Sequence, residues 1–458
     1  MKTLNLSKLL LLFLSSFLIS CDKEYLEKIN DKSLLVPSAI ADFQALLDDN
    51  NNVMNLSPWI GELSSDNFYA ADAGYLAWNT ELERSAYTWS TNPNSTGNVS
   101  DWNNAYRQIF NTNIVLDGLP GLKGRATETE IKNLRGSALF YRGYALYNLS
   151  QIFAAPYDAA IADSEPGIPV RLSADVNLRP GRGTLTETYQ QILIDIKEAA
   201  ELLPEQVAYK SRPSQAAAIA LLARITLSMR NYEDALKYAD QCLAIHNTLI
   251  DYNTLKLSAA RAFPVLLPNG NAEVIYYSIM PPLSFFSSSL TYVDSLLYKS
   301  YSSNDLRKNA FFLSRGTNKF SFRGSYTGRT ELFSGLATDE LYLIRAECLA
   351  RKGNTQAALS DLNTLLSKRW KSGTYIPFTA TSSDEALNLV FTERRKELLI
   401  RGLRWSDLRR LNTESRFAVT LQRKINSQTY SLPAQDKRYV LLIPDEEVTA
   451  TGIAQNAR

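Results

Sequence analysis

The 458-residue chain carries 49 Lys and Arg against 47 Asp and Glu, is 45% hydrophobic and 10% aromatic, and has a formal net charge of +2. That composition supports a buried core and excludes a disordered chain. It also lacks the basic excess that binding to nucleic acid or an anionic membrane surface requires. The first 20 residues hold Lys2 and Lys8 and no acid, so the remainder carries 47 charges of each sign.

Residues 1–20 read as an export signal, with a basic start followed by the apolar run LLLLFLSSFLI from Leu9 to Ile19. A bilayer-spanning helix needs about 20 apolar residues, so this run is too short to span. Leu18-Ile19-Ser20-Cys21 has the pattern of a lipobox, in which a small residue precedes a cysteine that is acylated and becomes the mature N-terminus. Cys21 is therefore the expected lipidation site. After a lead-in of about 25–35 residues with no regular element, residues 50–99 are rich in Asn, Ser, Asp, Tyr and Trp without a sustained period. DDNNN at Asp48–Asn52 lacks the spacing and closing Glu of an EF-hand and reads as a turn.

From Ser100 onward helical periodicity dominates. Ser100–Leu119 places Trp102, Tyr106, Ile109 and Phe110 on one face. Thr127–Ala154 opens with Thr127 and Glu130 in capping-box spacing and stops before Pro156. Thr184–Pro204, Ser214–Met229 and Asn231–Ile245 continue the series, and three more helical blocks run from Ala337 to Asn412. The turns MRNYEDAL and RKGNTQAAL are alike. Helix pairs joined this way predict a mainly α fold: a tetratricopeptide-like helical-repeat scaffold with irregular repeats, long irregular loop regions and a few short strands. Residues 250–335 interrupt it with prolines, serines and β-prone pieces such as EVIYYSIM and NKFSFRGSY. Long loops of this kind usually carry function.

The chemistry-bearing residues are sparse. His246 is the single histidine, which removes the common zinc and Ser-His-Asp arrangements, and no HExxH, GxSxG, Walker or GxGxxG motif occurs. No catalytic residue, metal ligand or cofactor is expected, although composition alone leaves open a hydrolase with two carboxylates. Spacing likewise leaves a Cys242–Cys348 disulfide open. Both cysteines lie in helical patterns, where a free thiol acts as a small buried hydrophobe.

Glu393, Arg394, Arg395, Glu397, Leu398, Gly402, Arg404, Trp405, Asp407, Leu408 and Arg409 together resemble the "ERR.EL..EG.RW.DLRR" helix of the SusD/RagB family of outer-membrane nutrient-binding lipoproteins. Arg401 stands where that pattern has Glu. SRPSQAAAIALLARITLSMRNYEDAL, NLRGSALFYRGYALYNLSQIF and the closing YVLLIPDEEVTATGIAQNAR resemble further family segments, and Asp22-Lys23-Glu24 resembles the acidic stretch of surface-exposed lipoproteins in the Bacteroidetes. The resemblance implies a lipid-anchored protein of the outer-membrane surface. It would capture a glycan, or in the RagB branch a peptide, and pass it to a SusC-like TonB-dependent transporter. It also implies one domain over 21–458, with its scaffold mainly in 100–247 and 337–412.

The arginines on apolar helix faces, Arg345 and Arg394, read as ties between stacked helices, since a buried guanidinium requires a partner. Trp405 reads as a packing anchor. Sugar capture instead wants aromatic faces with Asn and Asp on loops. The loop regions at 50–99 and 250–335 supply them, and the expected ligand-binding residues are Asp66, Asn67, Tyr75, Trp78, Asn79 and Tyr292. Nothing in the sequence selects one glycan over another.

Overall fold

The computed structural model describes residues 37–90, 99–281 and 283–458. The export segment, Cys21 and the first part of the lead-in lie outside the described residues. Helix α1 (Ile40–Leu47) starts earlier than the featureless lead-in predicts. The Asp42 carboxylate accepts the amides of Ser38 (3.0 Å) and Ala39 (2.9 Å), and Phe43 and Leu47, one turn apart, face the core.

The aperiodic stretch beyond α1 folds as short pieces: α2 (Ile60–Ser64), β1 (Phe68–Ala70), α3 (Asp72–Leu76) and α4 (Glu81–Thr88). A capping box between Thr80 and Glu83 opens α4. The long helices then come in order: α5 (Ser100–Gly118), α6 (Glu128–Phe153), α7 (Leu185–Leu202), α8 (Gln215–Ser228) and α9 (Tyr232–Ile245). The Thr127–Glu130 box caps α6 as its spacing predicts, the Thr127 amide lying 2.9 Å from the Glu130 carboxylate.

A loop-rich excursion contains β2 (Val274–Tyr276), β3 (Ile279–Met280), α10 (Ser284–Ser287), β4 (Thr291–Val293), α11 (Ser295–Ser300), α12 (Arg307–Phe311), β5 (Phe312–Ser314), β6 (Phe320–Phe322), β7 (Leu332–Phe333) and β8 (Leu336–Ala337). The scaffold resumes with α13 (Thr338–Arg351), α14 (Thr355–Ser367), α15 (Ser383–Glu397) and α16 (Arg404–Leu411), and the chain closes with the hairpin β9 (Leu421–Ile425), β10 (Gln428–Leu432) and with α17 (Asp445–Thr451).

The helices stack in sequence. α5 packs on α6, α6 on α7, α7 on α8 and α8 on α9, and α9 then packs on α13, which carries α14 and α15. The excursion therefore leaves the stack without breaking it, and the fold is a tetratricopeptide-like helical scaffold. The two similar turns share one conformation. A left-handed residue, Arg230 (φ 61°) or Gly353 (φ 85°), precedes an asparagine, Asn231 or Asn354, whose side chain accepts an amide three residues on at 3.2 Å.

Bidentate arginine–carboxylate pairs join neighbouring helices: Arg142 with Asp195, Arg224 with Glu340 and Arg410 with Glu347, all at 2.6–2.8 Å. Arg345 binds Asp361 and Asp240, and Arg394 binds Asp407, so both serve as internal ties. Arg409 pairs with no carboxylate among the described residues. It donates to the carbonyls of Gln151 and Ala154 at the C-terminal end of α6, where the helix dipole favours a cation. Cys242 and Cys348 are buried and free.

Asp101, at the start of α5, accepts the amides of Trp59 (3.0 Å) and Ile60 (2.9 Å) with Oδ2 alone and so caps α2. Burial outweighs those bonds and pushes its pKa from 3.8 up to about 7. The folded state therefore holds a proton that the unfolded chain has released across that interval. The stability this proton contributes is complete below pH 3.8 and is lost as pH rises through about 7. Asp101→Asn is expected to be about 1–3 kcal/mol more stable than the wild type above the shifted pKa and near neutral in acid. Urea denaturation across the pH range checks this, and an unchanged pH slope in the variant contradicts it.

Candidate functional site

The two loop-rich regions meet. β1 and β4 pair antiparallel with Tyr69 opposite Tyr292, and their rings lie 5.4 Å apart. In strand FYA the alternation turns Phe68 and Ala70 into the core and Tyr69 to the opposite face. The Ala71 amide bonds the Leu290 carbonyl (3.0 Å), and α3 approaches so closely that a Cβ on Gly74 would sit 2.7 Å from the Leu290 Cβ, which requires glycine there.

Beneath this pair lies an aromatic cluster centred on the fully buried Phe285, with Phe68 at 5.4 Å, Trp78 at 5.8 Å and Trp59 at 6.2 Å. Trp78 also stands edge-on to Tyr87 at 4.9 Å. Arg423, from β9, slots between Tyr87 (3.7 Å) and Trp89 (4.5 Å) and donates to the carbonyls of Leu63, Ser65 and Tyr87 at the ends of α2 and α4. It forms no ion pair among the described residues, and burial outweighs the attraction of Asp66 and draws its pKa down to about 10.

Motif arginines hold both strands. Arg404 grips Asp66, just before β1, through Nε (2.7 Å) and Nη2 (2.9 Å). Arg395 donates to the Asp66 carbonyl (2.7 Å), reaches its carboxylate at 3.2 Å and lies 3.8 Å from Asp294, just after β4. Burial alone would raise the Asp66 pKa, but the two guanidiniums hold it well below the usual carboxylate range. The next link is Glu62, buried in α2, which accepts Asn67 Nδ2 (2.7 Å) and the amide of Gly402 (3.0 Å), a residue whose φ of 75° suits glycine.

The expected ligand residues thus separate. Asp66 gives its carboxylate to two guanidiniums and Asn67 its Nδ2 to Glu62, and Asn67 (1% exposed), Trp78 (3%) and Tyr292 (4%) lie beneath the surface rather than on it. Their rings are taken up by packing and the Asn67 amide nitrogen by a hydrogen bond inside the protein. Tyr75 stays half-buried and Asn79 exposed. Tyr69, Phe286, Tyr298 and Phe320 are further half-buried rings of the two regions: Tyr75 and Phe286 pack on the Phe68 side of the ribbon, against Trp78 (5.5 Å) and Phe68 (6.0 Å), and Tyr298 and Phe320 stack at 3.5 Å. Lys319, whose sequence context gave no signal, lies 5.4 Å over the Tyr292 ring, and Lys308 lies 4.8 Å over Tyr298. Burial raises the pKa of Tyr69, Tyr75 and Tyr298, so their phenols stay neutral hydrogen-bond donors. The face offers ring surfaces, neutral hydroxyls and an ammonium.

Elsewhere, Glu273, Asp339 and Glu397 bring carboxylate oxygens within 4.8 Å of one another. Arg369 bridges Glu273 (2.9 Å) and Glu397 (2.7 Å), and Arg401 binds Asp339 (3.0 Å), so guanidiniums stand where a cation would.

A family model described as "Starch-binding associating with outer membrane" matches residues 24–227, and one described as "SusD family" matches residues 336–451. SusD-like protein P2 of Formosa agariphila is 23% identical over 345 residues, 62% of this chain and 66% of that protein, just short of two thirds of its length. Among solved structures, a putative sugar binding protein from Bacteroides vulgatus superposes with a TM-score of 0.73 at 20% identity, covering 92% of this chain and 99% of that one. A SusD superfamily protein from Bacteroides thetaiotaomicron gives 0.71 at 20% identity over 92% and 100%. Surface glycan-binding protein A from Bacteroides fluxus gives 0.65 at 17% over 92% and 99%.

Proposed function

The chain belongs to the SusD family, and on that premise we propose that it captures an oligosaccharide at the cell surface around the β1–β4 ribbon, whose half-buried rings include Tyr69, Tyr75, Phe286 and Tyr298, and delivers it to a SusC-like TonB-dependent transporter. The observation that carries this reading is the β1–β4 pairing, which gathers rings from two distant loop regions at one surface. Half-buried rings over a rigid aromatic base suit the C–H patches of pyranoses, and Asn79, Lys319 and the phenols suit their hydroxyls. Attachment is assigned to acyl chains on Cys21, each buried CH₂ contributing about 0.8 kcal/mol. No helix among the described residues is long and apolar enough to cross a membrane.

Affinity electrophoresis in polysaccharide gels tests the reading. Tyr69→Ala and Tyr75→Ala are each expected to weaken retention by the selected glycan about tenfold, some 1.4 kcal/mol, with unchanged melting temperature. Retention untouched in both variants contradicts the assigned face. Retention by peptides and by no glycan replaces the ligand class, and release of new reducing ends makes the protein a hydrolase.

A further inference from the structure

A cavity of about 40 Å³, lined by none of the rings of that face, lies between α6, α8 and the turn from Arg401 into α16. That is room for about three water-sized spheres. Its lining is unusual in what its polar atoms do. Arg401 is 4% exposed, its plane fixed by Tyr326 (4.8 Å) and Phe333 (4.6 Å), and it reaches Asp339 through Nη1 alone. Its other edge, the Nε and Nη2 fork, donates to no atom among the described residues. Asn148 Nδ2, Trp405 Nε1 and the Ser334 hydroxyl belong to residues lining the same cavity and are equally without a partner among the described residues.

Two of the acceptors there are already engaged. Gln151 Oε1 takes the Ser406 hydroxyl (2.7 Å), and the Ser334 carbonyl takes the Tyr144 hydroxyl (3.2 Å). Arg224, the other guanidinium on the wall, gives both Nε and Nη2 to Glu340. The cavity is thus a cluster of donors around one open guanidinium fork. Leaving such groups unmatched is costly, most of all for the charged one. Water would satisfy some of them but would bring hydrogens of its own that find few acceptors. An ion with acceptors on every side satisfies them all, and the fork geometry matches two oxygens held in one plane.

We propose that this cavity binds a small planar oxyanion of the size of nitrate, formate or bicarbonate, held in bidentate fashion by the Nε/Nη2 edge of Arg401 and capped by Asn148 and Trp405. The half-buried Asn148, Gln151 and Ser406 put one end of the cavity at the surface, which gives the ion a way in. The site depends on Arg401, which departs from the related motif at this position, and it is separate from the aromatic face.

The test is the melting temperature of the mature chain titrated with sodium nitrate, formate or chloride at constant ionic strength, together with a crystal structure grown in nitrate. A saturable rise with nitrate and formate is expected, stronger than with chloride, and planar density on the Arg401 fork. Arg401→Lys keeps the charge and removes the fork, and is expected to weaken the apparent affinity at least about tenfold. Should that variant fail to fold, Asn148→Leu narrows the entry and removes one donor, with the same expected loss. An absent or non-saturable effect, an effect equal in wild type and both variants, or density for water alone overturns the proposal.

Discussion

Replacing Arg307 by methionine is expected to destabilise the protein by about 3–5 kcal/mol, a large share of the roughly 5–15 kcal/mol that holds a folded domain together. Arg307 is fully buried. It binds Asp305 (2.7 Å), Glu393 (2.6 Å) and Glu397 (2.9 Å), with Lys396 beside Glu393 at 2.7 Å and Arg369 on the far side of Glu397. These residues come from the start of α12, from α15 and from the end of α14, so the network fastens the loop-rich excursion to the helical stack. Methionine fills the volume and removes the charge, leaving carboxylates with too few cations in a medium that solvates them poorly. Denaturant midpoints measure the loss. The same experiment on Arg307→Met with Glu393→Gln is expected to recover part of it, because one uncompensated charge goes with the cation. Additive losses in the double variant would show that the arginine stabilises by packing, with its charge idle.

That network also shows what was legible in the sequence. Arginines on apolar helix faces must find acids, and Arg345 and Arg394 did so on neighbouring helices. The capping box at Thr127 and the paired Asn turns fixed helix starts by local chemistry alone. Arg409 and Arg423 were opaque for the opposite reason. Their partners are backbone carbonyls at helix ends, which leave no residue-type signature. The candidate site was half legible. Its two regions were identifiable by composition, but an aromatic stacked on Phe285 and one facing water look alike until the pairing of β1 with β4 is known. Strand alternation then turns Tyr69 outward while its neighbour Phe68 goes in, and Tyr292 is buried beneath Lys319. Asp66 and Asn67 carried the right chemistry for sugar hydroxyls, but the Asp66 carboxylate is held by two guanidiniums and Asn67 is buried with its Nδ2 on Glu62.

Asp66→Asn is expected to lower glycan affinity about tenfold or more and stability by about 3 kcal/mol, although Asp66 touches no exposed ring. Its carboxylate is the counter-ion for Arg404 and Arg395, and Arg395 also lies beside Asp294 at the end of β4. A neutral amide offers one acceptor to two guanidiniums and leaves Arg395, whose Nε has no partner among the described residues, held only by the Asp66 carbonyl and by Asp294. Both strands of the Tyr69–Tyr292 pair are then anchored at only one end. Asp407→Asn is the matched control. It weakens the Arg394 pair (2.8 Å) and the Arg410 pair (3.0 Å) within the same motif but touches neither β1 nor β4. If affinity measured on the folded fraction falls for Asp66→Asn and holds for Asp407→Asn, the motif arginines act as positioning residues for the aromatic face. Equal losses in both variants would reduce the motif to scaffold stability, and the orientation of Tyr69 would have to come from the aromatic cluster beneath it.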